Sequence, residues 1–367
     1  MFISQTNNQN HNYFMNLALK QAQISLGNTK TNPAVGCVIT KNNNVISAGY
    51  TSINGRPHAE QNALKISKKN LKNSKLYVTL EPCSHYGKTK PCTNIIIKKK
   101  IKKVFFSVND PDIRSFKKCS IFLNKKKISV KKGFLKNIIN DFYRSYVKYK
   151  KEILPFVTCK LAVSKDFFTI NRRNKWITNF YSRSRVHLLR SCHDCIVTSS
   201  QTIIDDNPKL TCRIKGLEKR SPARIILDTK LRISRNSTIL KESGLYKTII
   251  FYNTGNKKKI NLLKKSKVKI YKIPMNNSGN LDLVKSLIKI KELGFSRIFL
   301  EAGMKLSLNF LRNNLVDDFK LFISNKKIGK NGSNNFKKYL NSFLNKNRFT
   351  TEKVNLFNDK LISYKLK

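Results

Sequence analysis

Three residues with soft-metal donors, drawn from two separate segments, constrain this chain more than anything else in it. His58 stands in Pro57-His58-Ala59-Glu60, and Cys83 and Cys92 bracket the run Ser84-His85-Tyr86-Gly87-Lys88-Thr89-Lys90-Pro91. One imidazole and two thiolates supply three corners of a tetrahedral site and leave the fourth for water, which is the catalytic form of a zinc centre. A structural site more often draws four ligands from two close pairs, and that pattern is missing. A metal held this way lowers the pKa of its bound water. Glu60, two residues after His58, is placed to take the water's proton and hand it to a leaving amine. A His-Ala-Glu triplet alone reads as an ordinary helix start, and a Pro-flanked cysteine alone reads as nothing. Their joint occurrence predicts one catalytic zinc per chain on His58, Cys83 and Cys92, with Glu60 as acid–base, performing hydrolytic deamination.

The periodicity around these residues alternates. It predicts a helix over 13–26, a hairpin of strands 35–39 and 45–49, a helix over 58–71, a strand at 76–80 and a helix over 92–99. Strands at 104–108 and 128–130 and a helix over 134–151 follow, the last with Phe134, Leu135, Ile138, Ile139, Phe142 and Tyr146 on one face. This is the order of a layered α/β sheet covered by helices. A basic run and then Pro155 break the pattern near 148–154. We therefore expect two domains, 1–150 and 151–367. The second repeats the alternation, with strands at 156–163, 195–198, 223–227, 248–252, 268–273, 297–301, 318–323 and 360–364. Helices are expected over 182–190, 281–293 and 306–312, and loops with short ordered pieces over 328–355.

Composition bears on partners. The chain has 74 Lys+Arg against 20 Asp+Glu, a formal net charge of +54, which on its own suggests nucleic acid. The lysines are spread along the chain, in Lys98 to Lys100, Lys125 to Lys127 and Lys257 to Lys259, with no basic groove interleaved with aromatics. We read a composition bias on solvated faces that attracts anions such as phosphorylated metabolites, and expect no specific nucleic-acid partner. A nucleic-acid-acting zinc deaminase is the rival reading. Cys192-His193-Asp194-Cys195 reads as a helix-to-strand packing segment, because no second close pair accompanies it. No stretch approaches the ~20 apolar residues of a membrane span. The N-terminus lacks the basic head and apolar run of a secretory signal. A soluble, cytoplasmic protein without a membrane partner is the expectation; a homo-oligomer is compatible with the sequence but not read from it.

The motifs together resemble the bifunctional deaminase-reductases of riboflavin biosynthesis. The resemblance rests on Asn32-Pro33-x-Val35-Gly36-Cys37, His58-Ala59-Glu60 and Thr79-Leu80-Glu81-Pro82-Cys83-Ser84-His85-Tyr86-Gly87-Lys88-Thr89. It continues through Lys160-Leu161-Ala162-x-Ser164-x-Asp166, Lys175-Trp176-Ile177-Thr178, Pro208-x-Leu210-Thr211-x-Arg213, Leu227-Asp228-Thr229 and Glu301-Ala302-Gly303, covering about residues 12–325. It implies an N-terminal cytidine-deaminase-like three-layer domain followed by a dihydrofolate-reductase-like α/β domain that uses NADPH. The implied substrate is a phosphoribosyl-pyrimidine, deaminated and then reduced at its ribosyl group. In the first domain Asn32 either reads the edges of the pyrimidine or caps the turn before Pro33, and His85 and Lys88 either meet a ring carbonyl or phosphate or belong to a solvated loop; we take all three as substrate candidates. In the second, the resemblance puts Ala162, Trp176, Thr202, Asp206, Thr229 and Gly303 along the cofactor and Asn174, Arg190, Leu210, Arg213 and Glu301 along the substrate, the two arginines suiting a phosphate.

The chain departs from the family at Thr51 (usually histidine), at Lys90, over Asp112–Lys117, at Asn207 and at Phe167. Phe167 replaces a glycine, a substitution that strains the backbone if the position needs positive φ. A monofunctional pyrimidine deaminase with an inactive reductase-like scaffold is the second rival reading.

Overall fold

The computed structural model describes residues 2–67, 70–343 and 348–367, in two compact units, Met1–Glu152 and Ile153–Lys367. Among the described residues no helix is long and apolar enough to cross a membrane.

The first unit runs α1 (Phe2–Ser25), β1 (Gly36–Lys41), β2 (Asn44–Tyr50), α2 (Ala59–Ile66), β3 (Lys75–Leu80), α3 (Cys92–Lys98), β4 (Lys103–Val108), α4 (Lys118–Asn124), β5 (Ser129–Lys132) and α5 (Lys136–Lys151). The five strands form one sheet in the order β2-β1-β3-β4-β5, antiparallel at the β2-β1-β3 end and parallel from β3 to β5. Pleat alternation decides which helix covers which face. A Cβ on Gly36 runs into the backbone of Ala18 in α1, whereas a Cβ on Gly49 runs into Ala59 and Ala63 in α2. Helices α1 and α5 lie on one side, and α2, α3 and α4, which touch one another, lie on the other. On the α1 side Tyr77 stacks on Phe105, centroids 4.7 Å apart, and His11 packs against Phe105 and bonds the Tyr77 hydroxyl at 2.8 Å.

The predicted helix over 58–71 ends at Ile66; part of its expected C-terminal turn, Lys68 and Lys69, lies outside the described residues. Helix α4 was not expected: its seven residues are too few to display a period.

The second unit runs β6 (Phe156–Val163), β7 (Phe168–Asn171), α6 (Phe180–Ser191), β8 (Cys195–Ser199), α7 (Ser200–Asp206), β9 (Ala223–Leu227), α8 (Thr238–Lys241), β10 (Thr248–Tyr252), α9 (Lys257–Lys265), β11 (Lys269–Lys272), α10 (Leu283–Glu292), β12 (Arg297–Glu301), α11 (Met304–Arg312), β13 (Asp318–Ile323), β14 (Gly332–Asn335), α12 (Lys337–Phe343), β15 (Phe349–Thr351) and β16 (Lys360–Lys365). Nine strands form one sheet in the order β11-β10-β9-β8-β12-β6-β13-β16-β15, with β7 and β14 a separate ribbon. The seven strands from β11 to β13 are parallel; β16 and β15 close the edge antiparallel. The chain steps outward from β8 to β11 and then returns to place β12 between β8 and β6. Such a reversal opens a crevice at the carboxyl ends of the strands.

Cys192 follows α6 and Cys195 opens β8, both as free thiols. The residues between them are structural: buried His193 bonds Leu189 O and Thr158 Oγ1, and Asp194 accepts the backbone N–H groups of Ser296 and Arg297.

Phe167 does take a left-handed backbone, φ 68°. Its N–H closes a turn on Ser164 O, its carbonyl accepts from Phe336 N, and its ring packs on the core of the unit. Ring burial thus offsets a backbone cost of about 1–2 kcal/mol. Asn207 likewise sits at φ 44°, ending α7, and its Oδ1 accepts the N–H of Thr238.

Candidate active sites

In the first unit, His58 is the N-cap of α2, Glu60 lies in that helix's first turn, Cys83 follows β3, and Cys92 opens α3. The ligand atoms of His58, Cys83 and Cys92 lie within 4.8 Å of one another. His58 Nδ1 is 3.3 Å from Cys92 Sγ and 3.6 Å from Cys83 Sγ, and the Cys92 N–H points at Cys83 Sγ at 3.3 Å. Donors sharing one tetrahedral ion with these bond lengths lie roughly 3.5 Å apart, so this one-nitrogen, two-sulfur set fits a metal ion. The Cys83 thiol is lowered to about 4 by its hydrogen bond with Cys92 and by His58, while Cys92 is raised.

Glu60 is 4 % exposed. Burial pushes its carboxyl up to about 7, with His58 opposing and Cys83 adding to the rise. Asn32 is brought to the His58 segment by packing: its side chain occupies the space a Cβ on Gly55 would need, and Gly55 holds φ 86° just before Arg56-Pro57-His58. His85 is half-buried and its Nδ1 bonds Ser115 Oγ at 2.8 Å; Lys88 is exposed. Thr51 does not face the cluster through its hydroxyl, which accepts the N–H of Val35 at 2.9 Å.

Two groups here escaped sequence reasoning. Arg56, next to Pro57-His58, donates to Thr89 Oγ1 at 2.7 Å and lies 3.3 Å from His58 Nε2. Glu81, beside Pro82-Cys83, accepts three backbone N–H groups, from Asp110, Lys117 and Cys119. It thereby fastens the Asp112–Lys117 segment, and Ser115 with it, to the strand end that carries Cys83. Glu81→Ala strands those buried donors. It is expected to lower stability by about 2–3 kcal/mol and metal retention by about 10–100-fold, read by thermal unfolding and chelator competition.

In the second unit Ala162, Thr202, Thr229 and Glu301 lie at or just past the carboxyl ends of β6, β8, β9 and β12. Arg190 makes a two-point ion pair with Glu301, Nε to Oε2 and a terminal nitrogen to Oε1, each 2.9 Å; its other terminal nitrogen donates to Thr211 O at 2.9 Å. Arg190 and Glu301 hold one another, and Arg213 is the more exposed of the two arginines. Lys160, quoted in a motif but given no role, also faces Glu301: burial lowers its pKa, Glu301 opposing. Burial alone would raise Glu301, but Arg190 and Lys160 outweigh it and hold the carboxyl at about 2. The sign follows from linkage. A depressed carboxyl stabilises the fold above its unfolded pKa near 4.5, and that contribution, about 3 kcal/mol, disappears as pH falls through 2. Unfolding of the second unit, followed between pH 5 and 2, should show this loss and Glu301→Gln should flatten it.

The Leu210 side chain is buried in the core at φ 54°, so only its backbone is available to a ligand. Trp176 is 52 % exposed, with the Arg183 guanidinium 4.7 Å above its ring, and Asn174 Oδ1 accepts the Trp176 N–H. Ser199 caps α7, its Oγ accepting the backbone N–H of Thr202, Asp206 ends that helix with its carbonyl accepting from Lys175, and the Thr229 carbonyl accepts from Asn253 and Thr254. Ala162 lies on β6, half-buried. Gly303 precedes α11, and a Cβ built on it meets nothing within 4 Å. Open space at a helix N-terminus fits the diphosphate of a dinucleotide.

Comparison with known proteins covers both units. The family model for the cytidine and deoxycytidylate deaminase zinc-binding region matches residues 8–108, and that for the RibD C-terminal domain matches residues 155–357. The chain is 32 % identical to the riboflavin biosynthesis protein RibD of Bacillus amyloliquefaciens, over 86 % of this chain and 85 % of that one. It is 31 % identical to RibD of Escherichia coli, over 86 % and 88 %. Among solved structures, it resembles a diaminohydroxyphosphoribosylaminopyrimidine deaminase/5-amino-6-(5-phosphoribosylamino)uracil reductase from Thermotoga maritima, with TM-score 0.82 and 28 % identity over 98 % of this chain and all of that one. Acinetobacter baumannii RibD gives a TM-score of 0.80 at 26 % identity, over 98 % and 99 %. A cytidine-deaminase-like unit with a His/Cys metal cluster and a reductase-like α/β unit thus stand in one polypeptide, and the chain belongs to the RibD family of bifunctional riboflavin-biosynthesis deaminase/reductases.

Proposed function

We propose that residues 1–150 deaminate 2,5-diamino-6-(5-phosphoribosylamino)pyrimidin-4(3H)-one and that residues 151–367 reduce the ribosyl group of the product to give 5-amino-6-(5-phosphoribitylamino)uracil. The observation that carries this reading is the buried Glu60 carboxyl beside a three-donor cluster with room for one zinc ion. Zinc on His58, Cys83 and Cys92 supplies the Lewis acidity that makes water deprotonable near neutral pH, and NADPH supplies the hydride.

The chain's own residues do the rest. Glu60 takes the water's proton and delivers it to the departing amine. Asn32 reads donor and acceptor edges of the pyrimidine, and His85 and Lys88 meet its carbonyl or phosphate. In the second unit Ala162, Trp176, Thr202, Asp206, Thr229 and Gly303 line the dinucleotide. Arg213, Asn174 and the Leu210 backbone hold the substrate, and Glu301, fixed by Arg190, faces Lys160 where the sugar is reduced. The protein acts in the cytoplasm on a small phosphorylated pyrimidine, without a nucleic-acid or membrane partner.

A coupled assay with the diaminopyrimidine tests this. Ammonia is expected with or without NADPH, and NADPH oxidation only after ammonia release. Ammonia without NADPH oxidation would leave a deaminase carrying a reductase-like scaffold.

A further inference from the structure

We propose that Arg56, His85 and the side-chain-free surface of Gly87 form an anion notch that takes the phosphate of the deaminase substrate; this rests on the substrate reading above. A Cβ on Gly87 lies 3.8 Å from an Arg56 terminal nitrogen and 4.0 Å from His85 Nε2. The two donors converge on the space where residue 87 has no side chain. Each is held in place from behind: His85 through its other ring nitrogen, 2.8 Å from Ser115 Oγ, and Arg56 through Thr89 Oγ1 at 2.7 Å. Arg56 is half-buried and has no carboxylate partner among the described residues. Its remaining neighbour is His58 Nε2, at 3.3 Å. His58 turns Nδ1 to the two sulfurs. Lys88, exposed on the same loop, adds positive charge.

A planar guanidinium paired with an imidazole suits phosphate, and the notch borders the cluster at which the pyrimidine ring must sit. It gives the deaminase a preference for phosphorylated over phosphate-free pyrimidine.

The test uses the full chain, zinc-loaded, in a Glu60→Gln background so that ligands bind without turnover. Calorimetric titration compares the diaminopyrimidine with its dephosphorylated form. The phosphorylated ligand should bind about 10–100-fold tighter, and Arg56→Gln should bring that ratio near one, with Arg56→Lys retaining part of it. Gly87→Asp is the second variant: its site is exposed, a Cβ there meets only ordinary contacts, and its carboxylate occupies the notch. It should abolish the preference while the zinc content stays at one per chain. An unchanged ratio in both variants overturns the notch. Inorganic phosphate that competes at Arg56 while the two pyrimidines bind equally also overturns it, in favour of a free-ion site. Ammonia release by the parent chain separates the two readings. Release with an unchanged ratio sinks only the notch; no release from the phosphorylated pyrimidine sinks the substrate reading, and the notch with it.

Discussion

Glu60→Gln should lower ammonia release by about 10²–10⁴-fold, the range that a positioned acid–base contributes, while one zinc per chain remains bound. The substitution keeps the shape of a side chain that is 4 % exposed and removes only its ability to carry a proton. Glu60 lies two residues beyond His58 in the first turn of α2, and the three-donor cluster closes without it. Metal content should therefore be insensitive to the change. NADPH oxidation with an already deaminated substrate should proceed at the parent rate, because that chemistry belongs to the other unit. A variant that deaminates like the parent would remove Glu60 from the mechanism. One that loses its zinc would make Glu60 a ligand or its support.

Glu301→Gln should be the most damaging single change in the second unit. The Glu301 carboxylate is 16 % exposed and answers the Arg190 guanidinium at two points, with Lys160 also facing it. Removing one partner of a buried pair leaves the other's charge uncompensated, which costs about 3–5 kcal/mol. For a unit of this size that corresponds to roughly 10 °C in midpoint temperature, measurable by calorimetry. Arg190→Lys keeps the charge but not the two-point geometry, and should fall between parent and Glu301→Gln. An unshifted midpoint in Glu301→Gln would mean that solvent already screens the pair.

Much of this was legible because the local signals were strong. The hairpin of β1 and β2 was readable from Lys41-Asn42-Asn43-Asn44, and the parallel strands from apolar runs such as Ile225-Ile226-Leu227. Where the reading failed, a local pattern had no long-range information in it. Ile138 shares the apolar period of α5 yet is exposed, while Tyr143, absent from the predicted face, is buried and bonds Thr79 and the Ala34 carbonyl. Helix α9 is mostly lysine and shows its inward Leu263 only in the fold. The pairing of Arg190 with Glu301 was hidden because an arginine in so basic a chain announces no partner and Glu301 is distant in sequence. Arg56 and Glu81 were hidden for the same reason: their roles depend on Thr89 and on the Asp110–Cys119 loop, which only the fold brings near.

The strand order of the second unit also bears on how the chain is made. Strand β6 is the first strand of its sheet to be synthesised, yet its two neighbours are β12 and β13. On a ribosome it waits, on the order of ten seconds at ordinary elongation rates, with both hydrogen-bonding edges open and Val157, Leu161 and Val163 uncovered. The first unit, whose strands all precede Glu152, has no such wait. A truncation between Val163 and Arg297 should thus leave a folded deaminase tethered to a central strand with neither neighbour. Chaperone dependence in this protein should arise from its reductase half.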